Sequence, residues 1–245
     1  MILYVNGCSH TAAAEAAVVH AFAEDDSRYR HLGRRAHPDN LAVSWCTHLA
    51  RDLGFDLVCD AESASSNDRI VRTTVDWIDQ NLTRLKKVFM IIQWTTWERE
   101  EWFHKGTWYQ VNASGMDMVP AELQEKYRHY IIGVDWEVKT KQAHETIWQF
   151  HLLLNNLTIP HLFYNSHSTF SDIEKLDQRN WGTSYMHPYD RELSYNAVLK
   201  NNGYQYVNPK TYHYGADGHC FWANNLLYYI NNNNLIEPKN EIRTN

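Results

Sequence analysis

Four short apolar runs, Ile2 to Val5, Asp56 to Cys59, Val88 to Ile92 and His161 to Tyr164, stand far apart in the chain and are separated by segments with helical periodicity. Strands so widely spaced cannot pair through tight turns, so the pattern predicts a parallel sheet with crossover helices. Tyr204 to Val207 supplies a fifth strand. The first run leads directly into Gly7-Cys8-Ser9, which puts a serine at the carboxyl end of the first strand.

The predicted helices have readable ends. Leu41 to Leu53 stops at Gly54, and the apolar stripe of Ile70, Val71, Thr74, Val75, Trp77 and Ile78 follows Asn67-Asp68, either of which caps it. Glu122 to Ile132, Trp136 to Leu154, Arg191 to Leu199 and Phe221 to Ile230 carry the same spacing, the last of them after Asp217-Gly218. The polar, aromatic segment from Phe103 to Val119, with Gly106 and Gly115, predicts a hairpin or a lid. No shift in composition divides the 245 residues, so a single domain spans them, with a frayed tail from about residue 237.

Composition narrows the partners. A formal charge of -6 without a basic stripe argues against a nucleic-acid partner. The amino terminus has no export signal and no apolar stretch approaches the roughly 20 residues that cross a bilayer, so a cytoplasmic product with no membrane partner is expected. The four cysteines lack Cys-x-x-Cys spacing and the fourteen histidines lack His-Glu-x-x-His spacing, so no metal site is expected. Neither of the common glycine-rich phosphate loops is present, and no cofactor is expected.

Ligands of open parallel sheets bind at the carboxyl ends of the strands. Gly7-Cys8-Ser9, Ala64-Ser65-Ser66-Asn67 and Gln93-Trp94-Thr95-Thr96 follow the first three strands, and Asp217-Gly218-His219 precedes the last predicted helix. A serine hydroxyl is a poor nucleophile unless a base sits beside it; His219 can supply that base and Asp217 can orient it. Backbone N–H groups of Ser9 and of the Ala64-Ser65 turn, with Asn67 or Thr95 as a side-chain donor, would meet the oxyanion. Ser9 also has a plainer reading as a helix cap, and Cys8 is a second candidate nucleophile. Arg99 reads either as a binder of an anionic substrate group or as the ion-pair partner of Glu98 or Glu100. Trp94 and Trp97 read as an aromatic platform for a sugar ring or as core bulk.

The order of these blocks resembles the SGNH or GDSL hydrolase superfamily, whose members have a serine after strand one, a glycine after strand two, an asparagine after strand three, and an aspartate and histidine shortly before the last helix. The resemblance implies an α/β fold of three α/β/α layers around a flavodoxin-like, five-stranded parallel sheet. It also implies Ser9 as nucleophile, His219 as base and Asp217 as its partner. Ala64 or Ser65 stands where the superfamily has its glycine, and Thr95 where it has its asparagine. The Gly-Cys-Ser-His, Ser-Ser-Asn-Asp-Arg-Ile and Trp-Thr-Thr-x-x-Arg segments are most similar to divergent members encoded by tailed phages of marine bacteria. The expected activity is hydrolysis of a small-molecule or glycan ester, with carbohydrate O-acetyl groups among the candidates. The alternative is a non-catalytic binding or virion-associated protein in which Thr95 marks an eroded oxyanion hole.

Overall fold

The computed structural model describes residues 1–18, 34–113, 115 and 119–236; the tail expected from about residue 237 lies outside them. The strands are β1 (Ile2–Asn6), β2 (Arg34–Arg35), β3 (Asp56–Cys59), β4 (Glu62–Ser63), β5 (Val88–Trp94), β6 (Glu100–His104), β7 (Thr107–Val111), β8 (His161–Asn165), β9 (Tyr185–Met186), β10 (Tyr206–Asn208) and β11 (His213–Tyr214). The helices are α1 (Pro38–Ala42), α2 (Trp45–Leu53), α3 (Asn67–Gln80), α4 (Gln124–Ile132), α5 (Trp136–Asn156), α6 (Tyr195–Asn201) and α7 (Ala216–Asn232).

Five strands pair in the order β3-β1-β5-β8-β9, all of them parallel. Counted along the chain this is 2-1-3-4-5, the flavodoxin-like order. Side chains alternate across a strand, and both faces of this sheet are covered, which is why β1, β5 and β8 are buried throughout and mostly apolar. Leu3, Val5, Phe89, Ile91 and Leu162 pack on one side with Trp45, Leu49, Leu199, Trp222 and Leu226 of α2, α6 and α7. Ile2, Tyr4, Met90, Ile92 and Phe163 pack on the other with Ile70, Ile78, Ile147, Phe150 and Leu154 of α3 and α5. The result is a three-layer α/β/α fold.

Several expected boundaries move, each for a local reason. The stretch read as one helix from Leu41 to Leu53 is two, because Ser44 is extended and its Oγ accepts from Thr47 N, opening α2 as a cap. Ser66, rather than Asn67 or Asp68, caps α3 by accepting from Arg69 N. Ser194 likewise starts α6, so Arg191–Leu193 is a separate 3-10 turn. The fifth sheet strand is β9, not the Tyr204 to Val207 run; β10 instead forms an antiparallel ribbon with β11 outside the sheet. α7 begins at Ala216, so Asp217, Gly218 and His219 form its first turn rather than preceding it.

The Phe103 to Val119 segment read as hairpin or lid overlaps the β6–β7 hairpin, which starts earlier, at Glu100, and whose turn residues Lys105 and Gly106 have φ of 46° and 82°, as a two-residue primed turn requires. It is fastened down: Glu101 takes a two-pronged contact from Arg72 of α3 at 2.7 and 2.8 Å, and Gln110 Oε1 accepts from Ser66 N at 3.0 Å. Trp102 and Val111 pack on Val119 and on Tyr127 of α4 in a small satellite core.

Candidate functional site

The turn after β1 is held from two sides. Asn6, buried in the last position of β1, accepts from Gly7 N and donates to Thr73 and Thr74 of α3. Gln93, buried in β5, receives Cys8 N at 3.2 Å and Thr11 Oγ1 at 2.8 Å through its Oε1. Gly7 is squeezed between these supports: a Cβ there would lie 2.5 Å from Thr11 Oγ1 and 2.9 Å from Gln93 Cβ. Gly7→Ala is therefore expected to cost about 1–3 kcal/mol by overpacking, read as a lowered denaturation midpoint, and to displace Ser9. An unchanged midpoint would show that the turn can shift without penalty.

The loop from Ser9 onwards bends through two non-glycine residues in the left-handed region, Ala13 at φ 53° and Glu15 at φ 64°. This geometry stores backbone strain. It aims Glu15 at the β10–β11 ribbon, where its carboxylate accepts from Thr211 Oγ1 and Asn208 Nδ2 and, at 2.6 Å, from His213 Nδ1. Burial alone would raise the Glu15 carboxyl; the hydrogen bonds from Thr211 and His213 outweigh it and hold the carboxyl below its usual range. The imidazole of His213 packs edge-on against that of His10, ring centroids 5.4 Å apart, and His10 adjoins Ser9 in the chain.

This carboxylate–imidazole pair was not legible in the sequence, because 198 positions separate its members. The pair that was expected does not form. Asp217 and His219 are two apart on a helix, about 200° around its axis, so their side chains diverge. Asp217 Oδ1 accepts from Gly218 N instead. His219 is buried, and its Nδ1 accepts from Trp45 N at 3.4 Å. In a neutral ring that leaves the proton on Nε2, so the nitrogen on the far side is a donor and cannot act as a base. In His213 the order is reversed: Nδ1–H faces Glu15, and Nε2 is the free acceptor.

The remaining expected residues divide. Ser9 is buried, and among the described residues no hydrogen bond engages its hydroxyl or its N–H. Ala64 has φ 65°, the conformation a glycine takes without strain, and its N–H has no acceptor among the described residues. Ser65 N is spent on Glu62 O. Asn67 and Thr95 are tied to each other: Asn67 Oδ1 accepts from Thr95 N at 2.9 Å and Asn67 Nδ2 donates to Thr95 O at 3.4 Å. Trp94 is fully buried between Phe150 and Phe163, and so is core rather than platform. Trp97 stacks on Phe170 at 4.8 Å and is also largely buried, though it reaches the wall of a cleft next to the loop. Arg99 pairs with neither Glu98 nor Glu100; its Nη1 donates to Ser65 O at 3.4 Å.

The fold brings together a histidine grouping that the sequence did not predict. His10 follows β1, His167 follows β8 and His213 opens β11, and His10 lies 4.8 Å from His167 by ring centroid. Burial, then Arg99, depresses His167 to about 4. His10 is pushed well below its usual value by burial and by His167, His213 and Arg99, and His213 is lowered by burial despite Glu15. All three rings are thus neutral at pH 7. Among the described residues no three His, Cys, Asp or Glu side chains converge closely enough to hold a metal ion, and no helix is long and apolar enough to cross a membrane. His161 bonds His151 at 2.8 Å, away from this cluster.

Residues 24–156, more than half of the chain, match the profile of a family of unknown function, DUF6071. The chain belongs to the DUF6071 family. No curated protein matches it. In this DUF6071 chain the matched region contains Ala64, Asn67, Gln93, Thr95 and Arg99, whereas Ser9, Glu15 and His213 fall outside it.

Proposed function

We propose that this chain is a serine hydrolase of the SGNH type acting on an ester, with Ser9 as nucleophile, His213 as general base and Glu15 as the carboxylate that orients it. The observation that carries the reading is the 2.6 Å contact from His213 Nδ1 to Glu15, in a ring that packs against the residue next to Ser9. That contact fixes the tautomer in which Nε2 can accept a proton, and Glu15 would stabilise the imidazolium that follows. Burial lowers the His213 imidazole below its usual value despite Glu15, which favours the neutral ring that can accept a proton.

In the proposed reaction the Ser9 hydroxyl attacks the ester carbonyl, its proton passing to His213. The tetrahedral oxyanion is met by the N–H groups of Ser9 and Ala64, and the protonated imidazole then returns its proton to the departing alcohol. Water repeats the cycle to free the enzyme. With Thr95 and Asn67 engaged with each other, the hole rests on backbone donors. A missing third donor costs about 3–4 kcal/mol of barrier, so turnover of activated esters is expected to be slow.

The test is covalent labelling by a fluorophosphonate probe, with the adduct located by mass spectrometry. The expected adduct is on Ser9, lost in Ser9→Ala and His213→Ala and retained in Asp217→Ala. Absence of an adduct in well-folded protein would favour the alternative, a binding protein on the same fold.

A further inference from the structure

The other buried or partly buried arginines among the described residues have carboxylates. Arg69 meets Glu62 at 2.8 Å and Arg72 meets Glu101 at 2.7 Å. Arg99 is different. Among the described residues no carboxylate lies within ion-pair distance of it, and its Nε is buried without a hydrogen-bond partner. With Nη1 turned to Ser65 O, the side-on edge of the guanidinium, Nε and Nη2, is left over. That edge presents two parallel N–H groups, the geometry that grips a planar carboxylate.

The surroundings suit the same ligand. Arg99 lines a cleft of about 260 Å³ together with Asn67, Trp97, Glu100 and Lys139, and there Glu100 is already neutralised by Lys139. Asp68 is also on the cleft, beyond ion-pair distance of Arg99, and burial raises its carboxyl toward the neutral form. Arg99 is also close enough to His10, His167 and His213 for its charge to lower all three imidazoles, and among these His10 is buried with Nδ1 unpartnered. A lone guanidinium among neutral imidazoles is a cation awaiting an anion, and a water-poor setting strengthens that attraction.

We propose that Arg99, with His10 beside it, forms an anion subsite next to Ser9, and that the ester this chain hydrolyses carries a carboxylate. The second half rests on the hydrolase reading. Arg99 would hold the carboxylate through its side-on edge and His10 would donate to it, placing the ester carbonyl over Ser9. A neutral acetyl ester would lack this anchor.

The experiment compares kcat/KM for 4-nitrophenyl acetate and for mono-(4-nitrophenyl) succinate in the wild type, Arg99→Gln and Arg99→Lys, with calorimetric titration of succinate and of inorganic phosphate into each. The wild type is expected to prefer the succinate ester by roughly tenfold or more, in line with a charge-assisted hydrogen-bond pair. Arg99→Gln should abolish that preference mainly through KM, and Arg99→Lys should keep part of it; Lys also serves if Gln does not fold. Equal kcat/KM for the two esters in an enzyme that labels at Ser9 would overturn the subsite while leaving the hydrolase reading intact. If Ser9 does not label and neither ester turns over, the hydrolase reading fails and titration decides the subsite. Succinate binding lost in Arg99→Gln would support it, and no binding, or tighter binding of phosphate, would overturn the carboxylate assignment.

Discussion

Replacing Glu15 by Gln is expected to lower esterase turnover by about 10³–10⁴-fold, whereas Asp217→Asn should leave it within about threefold. The difference follows from hydrogen-bond direction. Glu15 can only accept, so His213 must keep its proton on Nδ1, which leaves Nε2 as the acceptor in the proposed proton transfer from Ser9. A glutamine can turn its amide N–H toward Nδ1, which moves the ring proton to Nε2 and blocks proton transfer from the serine. Asp217 bonds the backbone of its own helix and has no hydrogen bond or ion pair with a histidine among the described residues, so its amide analogue should change nothing in the His213 ring. The measurement is steady-state hydrolysis of a 4-nitrophenyl ester with the thermal midpoint of each variant recorded alongside. A Glu15→Gln enzyme of normal stability and normal rate would remove His213 from the mechanism. Loss of activity in Asp217→Asn would restore the pairing that the helix geometry argues against.

Acid should unfold this protein early. His161 and His167 are depressed to about 4 and His219 to about 3, in each case chiefly by burial. Unfolded histidines titrate near 6.5. Between those values the unfolded chain binds protons that the folded chain refuses, so stability is complete above about pH 6.5 and falls as the pH drops toward 4, levelling off once the folded rings also protonate. With three such groups the loss between pH 7 and pH 5 is about 4–6 kcal/mol, comparable with the whole margin of many domains. Denaturant titrations at pH 7, 6 and 5 should show it as a falling midpoint at nearly constant slope, with about three protons taken up on unfolding near pH 5. A flat profile from pH 7 to pH 5 would mean that the rings are solvated or paired in a way that their burial does not suggest. His161→Gln, well away from Ser9, should make the profile shallower.

Wide spacing of apolar runs was enough for the parallel sheet and its crossover helices, because burial on both faces leaves a continuous apolar signature in β1, β5 and β8. A strand of two residues, β9, leaves no such signature, and Tyr206–Asn208 is strand-like in composition yet pairs outside the sheet. Caps at Ser44, Ser66 and Ser194 shifted helix starts by a few residues, since a serine reads equally as loop or cap until the neighbouring N–H is placed.

By itself the sequence determined the α/β class, the position of the turn holding Ser9 and the convergence of the first three loops at one edge of the sheet. These follow from periodicity and chain order, which are local properties. Only the tertiary structure decided which histidine faces a carboxylate, because Glu15 and His213 meet through a strained loop and a ribbon outside the sheet. The same is true of Trp94, whose burial depends on Phe150 and Phe163, and of Arg99, which two adjacent glutamates in sequence seemed ready to neutralise. Adjacency in sequence sets which groups are near; the direction each side chain takes from its helix, strand or turn sets which of them interact.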